Sequence, residues 1–174
     1  MKFLKLAVLA AATLSLFGCN SDGDDEVMMI TLHMGNSRSI ASELSRKSVT
    51  MPQSGMTVMM ELSQFMYNGD LEEVHFAKNP MPDGSLINGF YFVTNDRGMK
   101  RLMQATGGNI GSFIVMCVNG KPMGLRKIDS VVQDGKIFII SEFEGTDEEM
   151  GKYVADMNEA VKKVNKKIEE DNKF

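Results

Sequence analysis

The sequence predicts an α+β fold: a mostly antiparallel sheet with two main helices packed on one face. Three observations predict it. Short apolar runs rich in β-branched and aromatic residues are punctuated by the turn dipeptides Asn68-Gly69, Asn119-Gly120 and Asp134-Gly135. Met99, Leu102, Met103 and Thr106 recur at helical spacing between two of those runs. A longer stripe of Met150, Tyr153, Val154, Met157, Val161, Val164 and Ile168 closes the chain at steps of three or four. Helices that follow and interrupt a run of antiparallel strands cover one face of the sheet they leave.

Residues 27–34 (Val-Met-Met-Ile-Thr-Leu-His-Met) read as a first strand. Residues 35–54 are polar and aperiodic and read as a long loop, with a short helix near 40–44. Residues 56–62 form a second strand. Asn68-Gly69 turns the chain into a half-exposed strand at 71–77. Asn79-Pro80-Met81-Pro82-Asp83-Gly84 breaks it, and 87–94, with Phe90, Tyr91 and Phe92, is a strong strand. Asn95 or Asp96 caps the next helix by accepting a backbone N–H bond. Gly107 and Gly108 end it, because a left-handed stop favours glycine. A buried strand at 112–118 turns at Asn119-Gly120, where both central residues need positive φ. The return starts at 122–125, and Asp134-Gly135 joins 130–132 to a strand at 136–141. Thr146-Asp147-Glu148-Glu149 fits a capping box, in which Thr146 and Glu149 satisfy each other's exposed amides. The final helix then runs for about 20 residues.

The N-terminus speaks of location. Lys2 and Lys5 precede an apolar stretch at 6–17, too short to cross a bilayer core of about 30 Å as a helix. A basic start, a short apolar run and a small residue before the cut describe a secretory signal over 1–18. The run Leu16-Phe17-Gly18-Cys19 resembles the lipobox of bacterial lipoproteins, with Phe17 an unusual member. That resemblance implies a mature chain beginning at Cys19, whose thiol accepts the diacylglyceryl group and anchors the protein to the membrane. Asn20 stands where Asp resembles an inner-membrane retention signal, which favours the outer membrane. Residues 19–26, with Ser21-Asp22-Gly23-Asp24-Asp25-Glu26, read as an acidic solvated tether. They are also similar to the acidic surface-export signals of some lipoproteins.

Composition bounds the rest. The net charge of the whole chain is −4, and cleavage before Cys19 removes two lysines and no acid. Nucleic acid is therefore not expected as a partner. Lys162, Lys163, Lys166 and Lys167 alternate with apolar positions and mark the wet side of the last helix. Cys117, in the apolar run at 112–118, is expected to be a small buried hydrophobe rather than a nucleophile.

A second resemblance covers residues 89–170. Gly89-Phe90-Tyr91-Phe92-Val93, then Asp96-Arg97-Gly98 with Leu102, then Thr106-Gly107-Gly108-Asn109-Ile110-Gly111 follow one another as in the head subdomain of the first periplasmic region of SecD. Residues 114–120, Ile128, Asp134-Gly135, 137–140 and Gly145-Thr146-Asp147-Glu148-Glu149 continue the match. Residues 27–88 form the strand-rich first part of the same domain; within them Ile30 to Ala77, with Leu32-His33-Met34 and the step Met51-Pro52-Gln53-Ser54-Gly55, resemble the N-terminal part of stand-alone lipoproteins that carry such a head. The transmembrane helices, base subdomain and intramembrane charges of SecD have no counterpart in this sequence. What the resemblance implies is the fold and a habit of binding extended or unfolded polypeptide.

Reactive chemistry is thinly represented. His33 and His75 each sit in a predicted strand with no nucleophile motif beside them, and no ligand spacing suggests zinc. Gly107-Gly108-Asn109-Ile110-Gly111 follows a helix instead of preceding one, so it does not place a phosphate on a helix N-terminus. Sixteen methionines stand out. Met28, Met29, His33 and Met34 form one cluster, and Met51, Met56, Met59 and Met60 another. Thioethers suit Cu(I), whereas Met99, Met103, Met150 and Met157 take positions that Leu would fill. The expected function is a non-enzymatic envelope lipoprotein without cofactor, acting as a binding or accessory module for envelope or unfolded polypeptide. The alternatives are a Met-rich periplasmic copper-binding protein and a hydrolase with an unrecognised site, which a deep polar pocket around His33 or His75 would support.

Overall fold

β3 (Thr57–Tyr67) and β4 (Leu71–Pro80) follow one another in the chain, joined only by a 3₁₀ turn, Asn68–Asp70. In the sheet they lie far apart. The strand order is β2-β3-β1-β6-β7-β8-β5-β4, with β1 Ile30–Asn36, β2 Arg46–Thr50, β5 Leu86–Thr94, β6 Phe113–Val118, β7 Lys121–Lys127 and β8 Lys136–Ser141. Six strand spacings in a flat sheet amount to about 29 Å, while the connection spans about 14 Å at most. The sheet must therefore coil until its two ends approach each other, as the accumulated twist of neighbouring strands allows. This computed structural model describes residues 27–36 and 45–173. Cys19, the leader, the tether and the helix expected near 40–44 lie outside them.

All neighbouring strands run antiparallel. Two helices, α1 (Asp96–Gly107) and α2 (Asp147–Asp171), pack on the concave side. α1 touches β3 and β5, α2 touches β4, and both touch the 3₁₀ turn, so together they fill the gap between the sheet's ends. The main core lies between them. Ile30, Leu32, Ile114, Met116, Phe90, Phe92, Ile137 and Ile139 from the sheet meet Leu102, Met150, Val154, Met157 and Val161 from the helices.

The convex face carries a second, smaller core. Val115, Cys117 and Leu125 point away from the helices and meet Val49, Met51, Val58 and Met60 of the β2–β3 hairpin. Irregular pairing brings the hairpin there. Against β1, β3 steps from Met66 at Leu32 to Gln64 at His33 and Met60 at Gly35. The extra β3 residues are bulges, and bulges bend a strand. The bent arm ends in the loop Met51–Met56, where Met51 N–H donates to Met56 C=O at 2.8 Å.

The fold class agrees with the sequence, and particular elements depart from it. β2 falls inside the expected 35–54 loop; its Arg-Lys-Ser-Val-Thr run buries only Val49 and so carries no apolar alternation. β3 extends five residues past the expected end, through the bulges. Residues 130–132 are not a strand. They cross over α1 instead, with Val132 N–H donating to Thr106 Oγ1 at 3.0 Å. α1 buries Leu102 and Thr106 as expected, but Met103 is 44 % exposed. Gly108 ends α1 in right-handed backbone, φ −85°, and the left-handed residue is Gly111 at φ 88°. Asn95 caps α1, its Oδ1 accepting from Gly98 N–H at 2.9 Å. The Asn119-Gly120 hairpin has both φ values positive, 48° and 74°. The capping box of α2 is present, with Glu149 N–H on Thr146 Oγ1 at 3.2 Å and Thr146 N–H on Glu149 Oε2 at 2.7 Å.

Candidate functional site

Few of the chemistry-bearing residues converge. His33 is buried on the convex face, where Nδ1 lies 2.9 Å from Glu61 C=O and Nε2 lies 2.9 Å from Thr31 Oγ1. Both ring nitrogens are thus engaged: Nδ1 ties β1 to β3, and Nε2 meets a neighbour on β1 itself. His75 is half-exposed on β4, 3.3 Å from Glu73. Asp147 pairs with Lys78 across the α2–β4 contact. Among the described residues, no group of three or more His, Cys, Asp or Glu is placed to hold a metal ion. No helix among them is long and apolar enough to cross a membrane.

The structure divides the first methionine cluster. Met28 and Met34 pack into or against the main core, Met29 is exposed, and His33 faces the opposite side. The second cluster is more coherent: Met51 and Met60 share the convex core with Cys117, whose Sγ lies 3.7 Å from Met60 Sδ. Burial pushes the Cys117 thiol up to about 11, so it stays protonated and unreactive at neutral pH.

Buried polar groups locate the structural anchors, and the sequence alone did not single them out. Asp70, with no exposed side chain, accepts from Arg97 Nε at 2.6 Å and from Arg101 Nη1 at 2.9 Å. Tyr67 N–H reaches its Oδ2 at 3.2 Å. The hydrogen bond to Asp70 raises the Arg97 pKa above its ordinary value. This knot ties the first two turns of α1 to the β3–β4 connection. Gly98 makes the approach feasible: a Cβ there would sit 2.1 Å from Asp70 C=O. Glu142 is the second anchor. Buried after β8, its Oε2 accepts from Gln53 N–H and Ser54 N–H, each at 2.8 Å, and so pins the tip of the β2–β3 arm.

The geometry that bears on function lies at the two ends of the sheet. β4 is an end strand, yet its outer backbone is occupied. Asn158 of α2 accepts from Val74 N–H at 2.8 Å and donates to Val74 C=O at 2.7 Å. Asn165, one heptad further on, donates to Leu71 C=O at 2.8 Å. Lys78 and Pro80 blunt the rest of the strand, through a charge and a missing N–H. The signal was in the sequence: Asn158 and Asn165 stand on the apolar stripe of α2, where a polar side chain needs a partner.

β2 is the other end strand, and among the described residues no strand or helix pairs with its outer side. Arg46 turns inward to Glu61 at 3.2 Å. Lys47 and Ser48 are exposed, and Val49 anchors the strand into the convex core. On the inner side of β2, a shallow dip crosses β3, lined by Arg46 of β2, Met59 and Glu61 of β3, Met34 of β1, and Asn109 and Ser112 before β6. An unpaired strand edge is a template for extended backbone.

No family model matches the chain, and no curated protein matches it. Solved structures do. A structure of SecDF, described as a membrane component that enhances protein export, is similar over 76 % of this chain and 61 % of its own, at 10 % identity and a TM-score of 0.49. A second, SecDF in a super-membrane-facing form, is similar over 75 % of this chain and 18 % of its own, at 11 % identity and a TM-score of 0.52. The chain thus spans about three fifths of one SecDF structure and under a fifth of the other. The second likeness places its α+β sheet in the same fold as part of SecDF.

Proposed function

We propose that this chain is a non-enzymatic accessory module of the bacterial cell envelope that binds polypeptide, anchored by lipid on Cys19, with the outer membrane favoured. The fold it shares with part of SecDF carries the reading: three quarters of the chain takes that shape. SecDF enhances protein export, so polypeptide is the natural ligand class for a related surface. The disposition of buried ionisable groups supports a binding role over catalysis. Both ring nitrogens of His33 are engaged, and Asp70 and Glu142 spend their hydrogen-bonding capacity on holding elements together.

Two measurements test it. Fractionation of cells carrying the natural chain or Cys19→Ala tests the anchor: the natural chain follows the membranes and the variant leaves them. Retention in membranes by the variant contradicts the anchor. Titration of the purified chain with a labelled, permanently unfolded polypeptide tests the ligand class; saturable binding supports the reading, and none at tens of micromolar contradicts it.

One observation favours a second reading. Met51, Met60 and Cys117 bring three soft sulfur atoms into one small core, a ligand type that suits Cu(I). Cu(I) titration separates the two readings. Binding weaker than micromolar removes copper handling, and the sulfur atoms are then core packing.

A further inference from the structure

We infer that the outer edge of β2 is where an extended polypeptide segment adds to the sheet as a ninth strand. The inference rests on the polypeptide-binding reading above and names the site and the mode. It starts from an asymmetry within one sheet. The backbone groups of an end strand need partners, and the fold provides them at β4 through side chains dedicated to the purpose, Asn158 and Asn165. Nothing equivalent among the described residues meets β2. The hydrogen-bond spacing of a strand edge is matched by another extended backbone, whatever its sequence. That suits a ligand without fixed structure.

Charge and shape then limit which segment fits. β2 carries no acid; Arg46 is paired with Glu61, and Lys47 stands exposed. An added strand with acidic residues is attracted to Lys47, while a second copy of β2 sets a second lysine against it. Arg46, Ser48 and Thr50 alternate with Lys47 and Val49, so the two faces of the added strand meet different surroundings. On the first face, Arg46 and Ser48 lie beside Glu61 and Met59 of β3. Leu62, 54 % exposed on the β3 bulge next to Glu61, adds apolar contact where β2 begins. The arm is steady enough to serve as a template: Val49 and Met51 are buried in the convex core, and Glu142 holds its tip. The occupant is therefore an extended, acidic segment of another polypeptide, held by backbone hydrogen bonds and by the charge of Lys47.

The test uses the full chain and a labelled ten-residue peptide alternating threonine with glutamate. Two variants of the peptide carry backbone N-methyl groups, one on the odd residues and one on the even. Strand addition uses the N–H groups of one set only. One variant then binds more weakly by at least about tenfold and the other does not. Amide exchange, read with the peptide bound, slows within residues 46–50 and stays unchanged within 71–80. If the permanently unfolded polypeptide binds but 46–50 stay unprotected, or both N-methyl sets act alike, the inference fails while the polypeptide reading stands. If neither probe binds, both fail. If 46–50 become protected with rising protein concentration and no peptide, the occupant is a second copy and the inference is overturned.

Discussion

β4 and β2 are both end strands of one sheet, and they differ in what meets their outer backbone. β4 is met by a helix whose apolar stripe carries two asparagines at the spacing of its backbone groups. It is also held at its start by the Asp70 knot and along its length by the Lys78–Asp147 pair. β2 is held from inside, by Val49 and by the tip contact to Glu142, and its outer side faces no described element. Coverage of an edge is thus a local device that has to be encoded residue by residue. Coiling the sheet brings its ends near each other without protecting either.

The comparison breaks most severely at the knot. Asp70→Ala removes the carboxylate from two guanidiniums and from Tyr67 N–H. Because both arginines stay partly in water, the expected loss is about 3 kcal/mol, at the low end for a broken buried pair. Chemical denaturation measures it; a loss under about 1 kcal/mol means that the knot does not hold the β3–β4 connection. Asn158→Ala is next. It leaves Val74 N–H and C=O without partners, costing about 2 kcal/mol, and it makes β4 an open edge. The variant should self-associate in sedimentation at concentrations where the natural chain does not. Loss of stability without self-association would mean that Lys78 and Pro80 protect β4 by themselves.

A smaller effect is expected at the arm. Glu142→Gln keeps an acceptor but removes its charge, and a charge-assisted bond exceeds a neutral one by about 1 kcal/mol. Amide exchange at Gln53 and Ser54 should quicken while β4 is unaffected. Equal quickening in β4 would show that arm and helix side open together. The smallest effect at neutral pH comes from Cys117. Its thiol has an ordinary value of 9.0 and is raised by burial to about 11. The unfolded chain therefore loses this proton first, and the contribution to stability, complete below pH 9.0, fades as pH rises towards about 11. Cys117→Ala should flatten that alkaline decline; an unchanged decline would assign it to other groups.

These differences also explain what was legible in the sequence. Periodic burial on one side of an element was readable: the α2 stripe, the capping box at Thr146 and the positive-φ pair Asn119-Gly120 all stand where the pattern put them. β2 was not readable, because an end strand over a small core buries one residue in five and its polar remainder looks like loop. The apolar 130–132 run misled in the opposite sense, since Val132 packs as irregular chain against Thr106. Asp70 and Glu142 were missed because their partners are 27 and 89 residues away. The candidate site was legible only as a class of role, because an open edge is defined by what neighbouring elements leave uncovered.

The most direct test of the account is site-specific crosslinking from the two end strands. A photoreactive side chain is placed at Ser48 on β2 in one protein and at Asn79 on β4 in another, both exposed. Each is irradiated with the same labelled unfolded polypeptide. The account predicts a strong, competable adduct from position 48 and little from position 79. Equal adducts from both, or an adduct from position 79 alone, would contradict it.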